Sequence, residues 1–114
     1  MFSITGNAIQ LTRGDTCDIE VTILREDGTP YEYQFGDTVI FRMKKNANGT
    51  DPVLIQKNAD LSTSVIHLDD VDTENLAVGD YRYEVELVTA DDFHYTVIPD
   101  SQFRLGKELE QHGI

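Results

Sequence analysis

Hydrophobic and polar residues alternate most strictly along residues 79–88, GDYRYEVELV. The apolar positions are Tyr81, Tyr83, Val85 and Leu87. The charged positions between them are Arg82, Glu84 and Glu86. A period of two over this length predicts a half-buried β-strand, and the aromatic residues favour the same conformation. We expect this stretch, entered through a turn at Gly79 and Asp80, to be the central strand of the fold.

Shorter stretches between turn residues predict the remaining strands. They cover residues 2–5, 8–12, 17–24, 31–35, 38–45, 53–57, 64–68, 93–98 and 102–105. Pro99 and Asp100 are expected to kink a single strand that begins with residues 93–98 and is completed by residues 102–105, because proline cannot donate a ladder hydrogen bond. Residues 69–76 predict a single helical turn with Asp72 or Thr73 as its cap. The turn-rich segment 46–52 is expected to be an exposed loop.

This pattern predicts an all-β fold, an immunoglobulin-like antiparallel β-sandwich of seven to nine short strands. Leu76 followed by Gly79 and Tyr81 resembles the tyrosine corner of such domains, in which a tyrosine hydroxyl bonds back to the preceding turn. Strand 38–45 would then lie beside the Tyr81 strand. Its outward Arg42 and Lys44 would face Glu84 and Glu86, and such pairs help to set the register.

The length of 114 residues predicts one domain. We assign residues 1–107 to the β-sandwich domain and residues 108–114 to a frayed C-terminal tail. Cys17, the single cysteine, lies in phase with Ile19 and Val21 and is expected to be buried. The fold is thus predicted to form without disulfides, as in a reducing cytoplasm.

The formal net charge of −12 disfavours binding to nucleic acid or to anionic lipid, because both depend on lysine and arginine. The first residues lack the basic start and apolar run of a signal peptide. No stretch approaches the roughly 20 apolar residues of a membrane helix. The expected partners therefore include neither nucleic acid nor membrane.

No group of residues predicts catalysis. Asp69, Asp70, Asp72 and Glu74 could contribute oxygen ligands to calcium, but their spacing does not fit the EF-hand loop. Acids at the start of a helical turn are expected from the helix dipole alone. The histidines His67, His94 and His112 have no ligand-like spacing. We therefore predict no enzyme activity, no catalytic residue, no metal and no cofactor.

Aromatic residues offer the better lead. Tyr31, Tyr33 and Phe35 alternate on a predicted edge strand, where their rings could meet a sugar or a partner protein. The alternative is that they cover the open end of the core, which is the commoner role of strand aromatics.

Four stretches of the chain resemble a known family. They are LTRGDTCDIEVTI, DGTPYEYQFGDTVIFRMKK, LAVGDYRYEVELV and YTVIPDSQFRL. The sequence from about residue 9 to residue 105 is similar to small proteins and N-terminal modules of tailed phages and prophages of low-GC Gram-positive bacteria. The named family that it resembles is the N-terminal domain of the phage baseplate upper protein. The shared positions are turn and strand residues, and they include no catalytic group.

The resemblance implies a virion component that docks onto other tail or baseplate proteins, usually in several copies. Longer members continue into helical segments that carry receptor-binding parts, whereas about nine residues follow Leu105 here. The implied location is the host cytoplasm during synthesis and then the virion. Two alternatives stay open: a carbohydrate-binding or other protein-interaction module that uses Tyr31 and Tyr33, and an acidic mimic that inhibits a host nucleic-acid-binding protein.

Overall fold

The computed structural model describes residues 2–5, 8–46 and 50–107, and the regular secondary structure within them is almost entirely β-strand. The strands are β1 (Phe2–Thr5), β2 (Ala8–Thr12), β3 (Cys17–Glu20), β4 (Thr38–Lys44), β5 (Ile55–Asn58), β6 (Val65–Leu68), β7 (Gly79–Val88) and β8 (His94–Gly106). One helical turn, α1 (Asp70–Thr73), precedes β7. The predicted all-β class is confirmed. The predicted tail, 108–114, and the middle of the loop at 46–52 lie outside the described residues.

The strands form two sheets around one core. The larger sheet has six strands in the order β1-β2-β8-β7-β4-β5, and the smaller sheet pairs β3 with β6. All described pairings are antiparallel except that of β2 with β8, which is parallel. Buried side chains from both sheets belong to a single hydrophobic cluster. They are Ile9, Leu11, Cys17, Ile19, Val21, Val39, Phe41, Met43, Ile55, Ile66, Leu68, Tyr81, Tyr83, Val85, Leu87, Phe103 and Leu105.

Strand β7 is central, as its alternation predicts. It lies between β4 and β8, and its apolar residues are buried on the core side. The Tyr81 side chain is only 3% exposed, and its hydroxyl donates to the Ala77 carbonyl oxygen at 2.5 Å. The expected hydrogen bond back to the preceding turn is therefore present.

Strand β8 runs the full length of β7 but does so with irregularities. The register with β7 shifts between Tyr83 and Val85 and again between Val85 and Glu86. Pro99 lies in β8 at the first of these shifts, between Ile98 and Ser101. Proline has no N–H to donate to the ladder, so it is tolerated at a position where β8 carries an extra, unpaired residue. The predicted irregularity at Pro99 is thus present as a shift of register, and residues 93–98 and 102–105 belong to one strand, as expected.

The strand predicted at 31–35 is wrong. This segment has no ladder, because its polar groups close a turn instead: Asp37 accepts the Gln34 N–H at 2.8 Å, and the Asp37 N–H bonds to the Gln34 carbonyl at 3.0 Å. The predicted cap of α1 is also wrong. Asp69 is the N-cap, one turn earlier than expected, and Asp72 accepts the Asp69 N–H at 2.7 Å.

The predicted charge pairing between β4 and β7 is right in part. Arg42 is opposite Glu84 in the register and binds Glu86 diagonally, with Nη1 and Oε1 3.2 Å apart. Lys44 is opposite Arg82 rather than an acid. The strand at 17–24 ends earlier than predicted, at Glu20.

Candidate interaction surface

Two turns meet at one end of the domain. One turn contains Gly36 (φ +90°) and precedes β4; the other joins β7 to β8 and contains Ala90. The second turn is closed by hydrogen bonds between Thr89 and Phe93 and between Asp92 and Thr89. A Cβ placed on Gly36 would lie 2.6 Å from the Ala90 Cβ. The two turns are thus packed as closely as their backbones allow.

A cleft of about 500 Å³ opens at this end, which we call the end cleft. It lies between the segment that follows β3 and the hairpin of β7 and β8. Its lining is formed by Thr22, Ile23, Leu24, Arg25, Glu26, Tyr31, Leu87, Thr89, Tyr95, Thr96 and Val97. Apart from one arginine and one glutamate these residues are uncharged, so the end cleft carries no formal net charge in a chain of −12.

Tyr31 is fixed in the wall of the end cleft by its hydroxyl, which donates to Asp37 Oδ2 at 2.7 Å. This bond to a carboxylate, together with burial, raises the pKa of Tyr31 to about 12. Its ring meets Tyr33 edge-on, with centroids 5.9 Å apart. Asp37 therefore holds both the turn at 34–37 and the ring that closes the core at this end.

Large apolar side chains are exposed around the end cleft. Phe35 is fully exposed at the tip of its turn, while Leu24, Phe93 and Tyr95 are 58%, 60% and 54% exposed. Isolated exposed hydrophobic residues need no explanation, but a contiguous apolar patch marks an interaction site. Leu24 and Tyr95 line the end cleft itself, and Phe35 and Phe93 lie in or beside the two turns at the same end of the domain.

The predicted aromatic site is thus only partly brought together. Tyr31 and Tyr33 pack against the core, and the Tyr33 hydroxyl lies 2.6 Å from Ser64 Oγ, so these two cover the open end of the core. Phe35 is the one of the three that presents its ring to solvent. Sequence reasoning missed Leu24 and Tyr95. The alternation of Phe93, Tyr95 and Val97 was the available signal, but it does not reveal which of these side chains are exposed to solvent in the folded domain.

The predicted acidic cluster is distributed among structural contacts. Asp69 and Asp72 both approach Lys57, whose Nζ lies 3.0 Å from Asp72 Oδ2. Asp70 accepts the Val71 N–H at 2.8 Å. Across the described ranges, no three His, Cys, Asp or Glu side chains are arranged to hold a metal ion.

Two histidines each lie between two carboxylates. His67 Nδ1 is 2.5 Å from Asp18 Oδ1, and its Nε2 is 2.8 Å from Asp69 Oδ1. Only the imidazolium can donate from both ring nitrogens, so these bonds, first that to Asp18, raise the pKa of His67.

His94 is held in the same way. Its Nε2 lies 3.0 Å from Asp92 Oδ1 and its Nδ1 lies 3.3 Å from Glu86 Oε1. These contacts, first that with Asp92, raise the pKa of His94. Both histidines are on the surface, as expected, and His112 lies outside the described residues.

The single thiol is not activated. Cys17 is the first residue of β3 and is buried in the core, and this burial raises the pKa of its thiol to about 12. The nucleophilic thiolate is therefore almost absent at neutral pH.

In the part of the chain that the structure describes, no helix is long and apolar enough to cross a membrane.

Comparison with known proteins adds no relative: no protein-family model matches this sequence, and no curated protein matches it.

Proposed function

We propose that this chain is an immunoglobulin-like β-sandwich that serves as a non-enzymatic docking module of a phage or prophage virion, in the tail or the baseplate. The observation that carries the docking role is the end cleft with its exposed apolar rim of Leu24, Phe35, Phe93 and Tyr95. The virion context rests on the family resemblance of residues 9–105.

Strand order supports the immunoglobulin-like part of the proposal. In such domains strands C, F and G are neighbours in one sheet, and strands B and E pair in the other. Here β4, β7 and β8 are neighbours in the larger sheet, and β3 pairs with β6. The hydrogen bond from Tyr81 to Ala77 stands where a tyrosine corner would be, at the start of the strand equivalent to F. The smaller sheet differs in having two strands rather than four.

Charge supports the choice of the end cleft as the docking surface. A protein with 21 acidic and 9 basic residues repels other acidic proteins over most of its surface. The neutral lining of the end cleft removes that repulsion locally, and burial of its apolar rim would drive association. A partner can be another virion protein or a further copy of this chain.

The test uses phage particles purified from an induced lysate of a host that carries the gene. Antibodies against the purified domain should label the tail or baseplate in electron micrographs. A variant with Leu24→Ser and Phe93→Ser should fold but fail to enter particles. Val71→Ser is the matched control, because Val71 is 60% exposed and lies on α1, away from the end cleft. Particles without label, or with equal incorporation of both variants, would contradict the proposal.

A second candidate function is carbohydrate binding. The observation that favours it is the combination of the Tyr31 and Tyr95 rings with three threonines, Thr22, Thr89 and Thr96, in the end cleft. Rings stack on sugar faces and hydroxyls bind sugar hydroxyls, although the chain lacks tryptophan. A glycan array separates the two functions. Reproducible binding that Tyr95→Ala abolishes would favour the carbohydrate module over virion docking.

The position of the gene gives an independent check. A location among tail genes agrees with the virion proposal, and a location in a polysaccharide-utilisation cluster contradicts it.

A further inference from the structure

A second concave site lies on the face of the larger sheet that points away from the core. It is a pocket of about 100 Å³, which we call the basic pocket. Its lining consists of Arg42, Lys44, Asn46, Arg82, Tyr83, Glu84 and Asp100. The lining contains three basic and two acidic side chains, and a third carboxylate, Glu86, lies just outside it against Arg42. Three of the nine basic side chains of the chain are thus gathered in one pocket.

The positive charges in the basic pocket are unequally compensated. Arg82 Nε donates to Asp100 Oδ1 at 2.8 Å, and Arg42 donates to Glu86. Lys44 is half-buried, and its side chain makes no hydrogen bond or ion pair with any residue in the described ranges.

The register makes this arrangement costly. Lys44 and Arg82 are directly opposite each other across β4 and β7. Like charges in that relation destabilise a sheet. The hydrophobic pattern alone does not require it, since any polar side chain would serve on the outward face at position 44. An anion between the two side chains would turn the repulsion into attraction.

We propose that the basic pocket binds one oxyanion of carboxylate or phosphate size. A guanidinium has five N–H donors; Arg42 uses two of them on Gln56 and Glu86, and Arg82 uses two on Asp100, so each arginine keeps further donors. These donors suit the paired oxygens of a carboxylate or phosphate, and Lys44 adds a point charge. The Asn46 amide lies at the rim as a further donor. A volume of about 100 Å³ admits such a group.

Glu84 is the internal competitor for this site. It lies in the lining of the basic pocket and is opposite Arg42 in the register. An exogenous anion must therefore bind against its negative charge. The proposal predicts that Glu84→Gln strengthens anion binding, whereas a merely charged surface with no site would show no saturable binding in either form.

The experiment titrates sodium acetate or sodium phosphate into the ¹⁵N-labelled full chain, with sodium chloride adjusted to keep the ionic strength constant. The amide signals of Lys44 and Arg82 should shift and saturate. Lys44→Met should weaken the apparent affinity about tenfold, the size expected for loss of one charge-assisted contact. Stronger binding of acetate would identify a carboxylate ligand, and stronger binding of phosphate a phosphoryl ligand.

Lys107→Met is the matched control. It removes the same charge from an exposed residue that follows β8 and does not line the basic pocket. Equal loss of affinity in Lys44→Met and Lys107→Met, or shifts that rise without saturation, would overturn the proposal. The Glu84→Gln result decides the matter independently, because a weaker or unchanged affinity there also contradicts it.

Discussion

The contact between Gly36 and Ala90 allows the packing of the end-cleft turns to be tested by a matched set of variants. Gly36 has a φ of +90°, a backbone conformation that residues other than glycine rarely adopt, and the absence of a Cβ leaves room for Ala90. Gly36→Ala therefore adds two costs. The left-handed backbone costs about 1–2 kcal/mol. Forcing two carbon atoms to 2.6 Å costs about a further 1–3 kcal/mol as overpacking. We expect a total of about 2–5 kcal/mol.

Gly28 separates the two costs. Its φ is +85°, but a Cβ added there would meet nothing within 4 Å. Gly28→Ala should therefore lose only the backbone contribution of about 1–2 kcal/mol. Ala90→Gly removes the atom that clashes, at a cost of up to about 1 kcal/mol through greater freedom of the unfolded chain. The double variant with Gly36→Ala and Ala90→Gly should recover about 1–3 kcal/mol relative to additivity.

Urea unfolding followed by far-UV circular dichroism measures all four variants. With an m-value of roughly 1–3 kcal/mol/M, each kcal/mol moves the midpoint by about 0.3–1 M. A cost for Gly36→Ala no larger than that for Gly28→Ala, or no rescue by Ala90→Gly, would contradict the predicted clash. Either result would mean that the two turns are not in close contact in solution.

Three further predictions concern other contacts of the fold. Tyr81→Phe should cost about 1 kcal/mol in urea unfolding through loss of its bond to the preceding turn, whereas Tyr95→Phe, whose side chain is largely exposed, should cost less than about 0.5 kcal/mol; equal costs would contradict the corner. The pKa of His67 is raised in the folded state, so its protonation stabilises the fold fully at a pH below the ordinary pKa of 6.5, and this contribution is lost as the pH rises through the folded pKa. The difference in urea midpoint between the wild type and His67→Gln should therefore shrink from pH 6 upwards. A difference that stays constant with pH would contradict this role of His67. Thr73→Val should cost about 1–3 kcal/mol, because the buried Thr73 hydroxyl accepts the Gly14 N–H at 2.9 Å and valine leaves that donor unpaired; a midpoint equal to that of the wild type would contradict this role.

The central part of the fold could be predicted because its determinants are local. The alternation around Tyr81 fixes which face of β7 is buried, and Gly79 marks where the strand begins. Pro99 announces the irregularity in β8 through its missing N–H. These features depend on the residue types at neighbouring positions, and the sequence displays them directly.

Register could not be predicted, and with it the basic pocket was missed. A slip of one residue would expose the core face of a strand, but a slip of two residues keeps every side chain on its own face. The hydrophobic pattern therefore permits Lys44 to lie opposite either Glu84 or Arg82. The structure selects Arg82.

The end cleft was missed for a related reason. It brings residues 22–26 to residues 95–97, which are far apart in sequence, and only the tertiary fold determines that they face each other. The error at 31–35 has a different cause. Aromatic residues favour strands, but here Asp37 binds both the Tyr31 hydroxyl and the Gln34 N–H and closes a turn.

The parallel pairing of β2 with β8 determines how the domain would respond to mechanical load. In this register Ile9 is beside Phe103 and Thr12 is beside Gly106, so β2 enters and β8 leaves at opposite ends of the pair. Tension applied through the two ends of the chain would first peel β1 from β2, one pair at a time, since those strands are antiparallel. It would then pull β2 and β8 past each other along their length. All the hydrogen bonds between them would share the force at once, so this junction resists stretching far better than a hairpin that unzips.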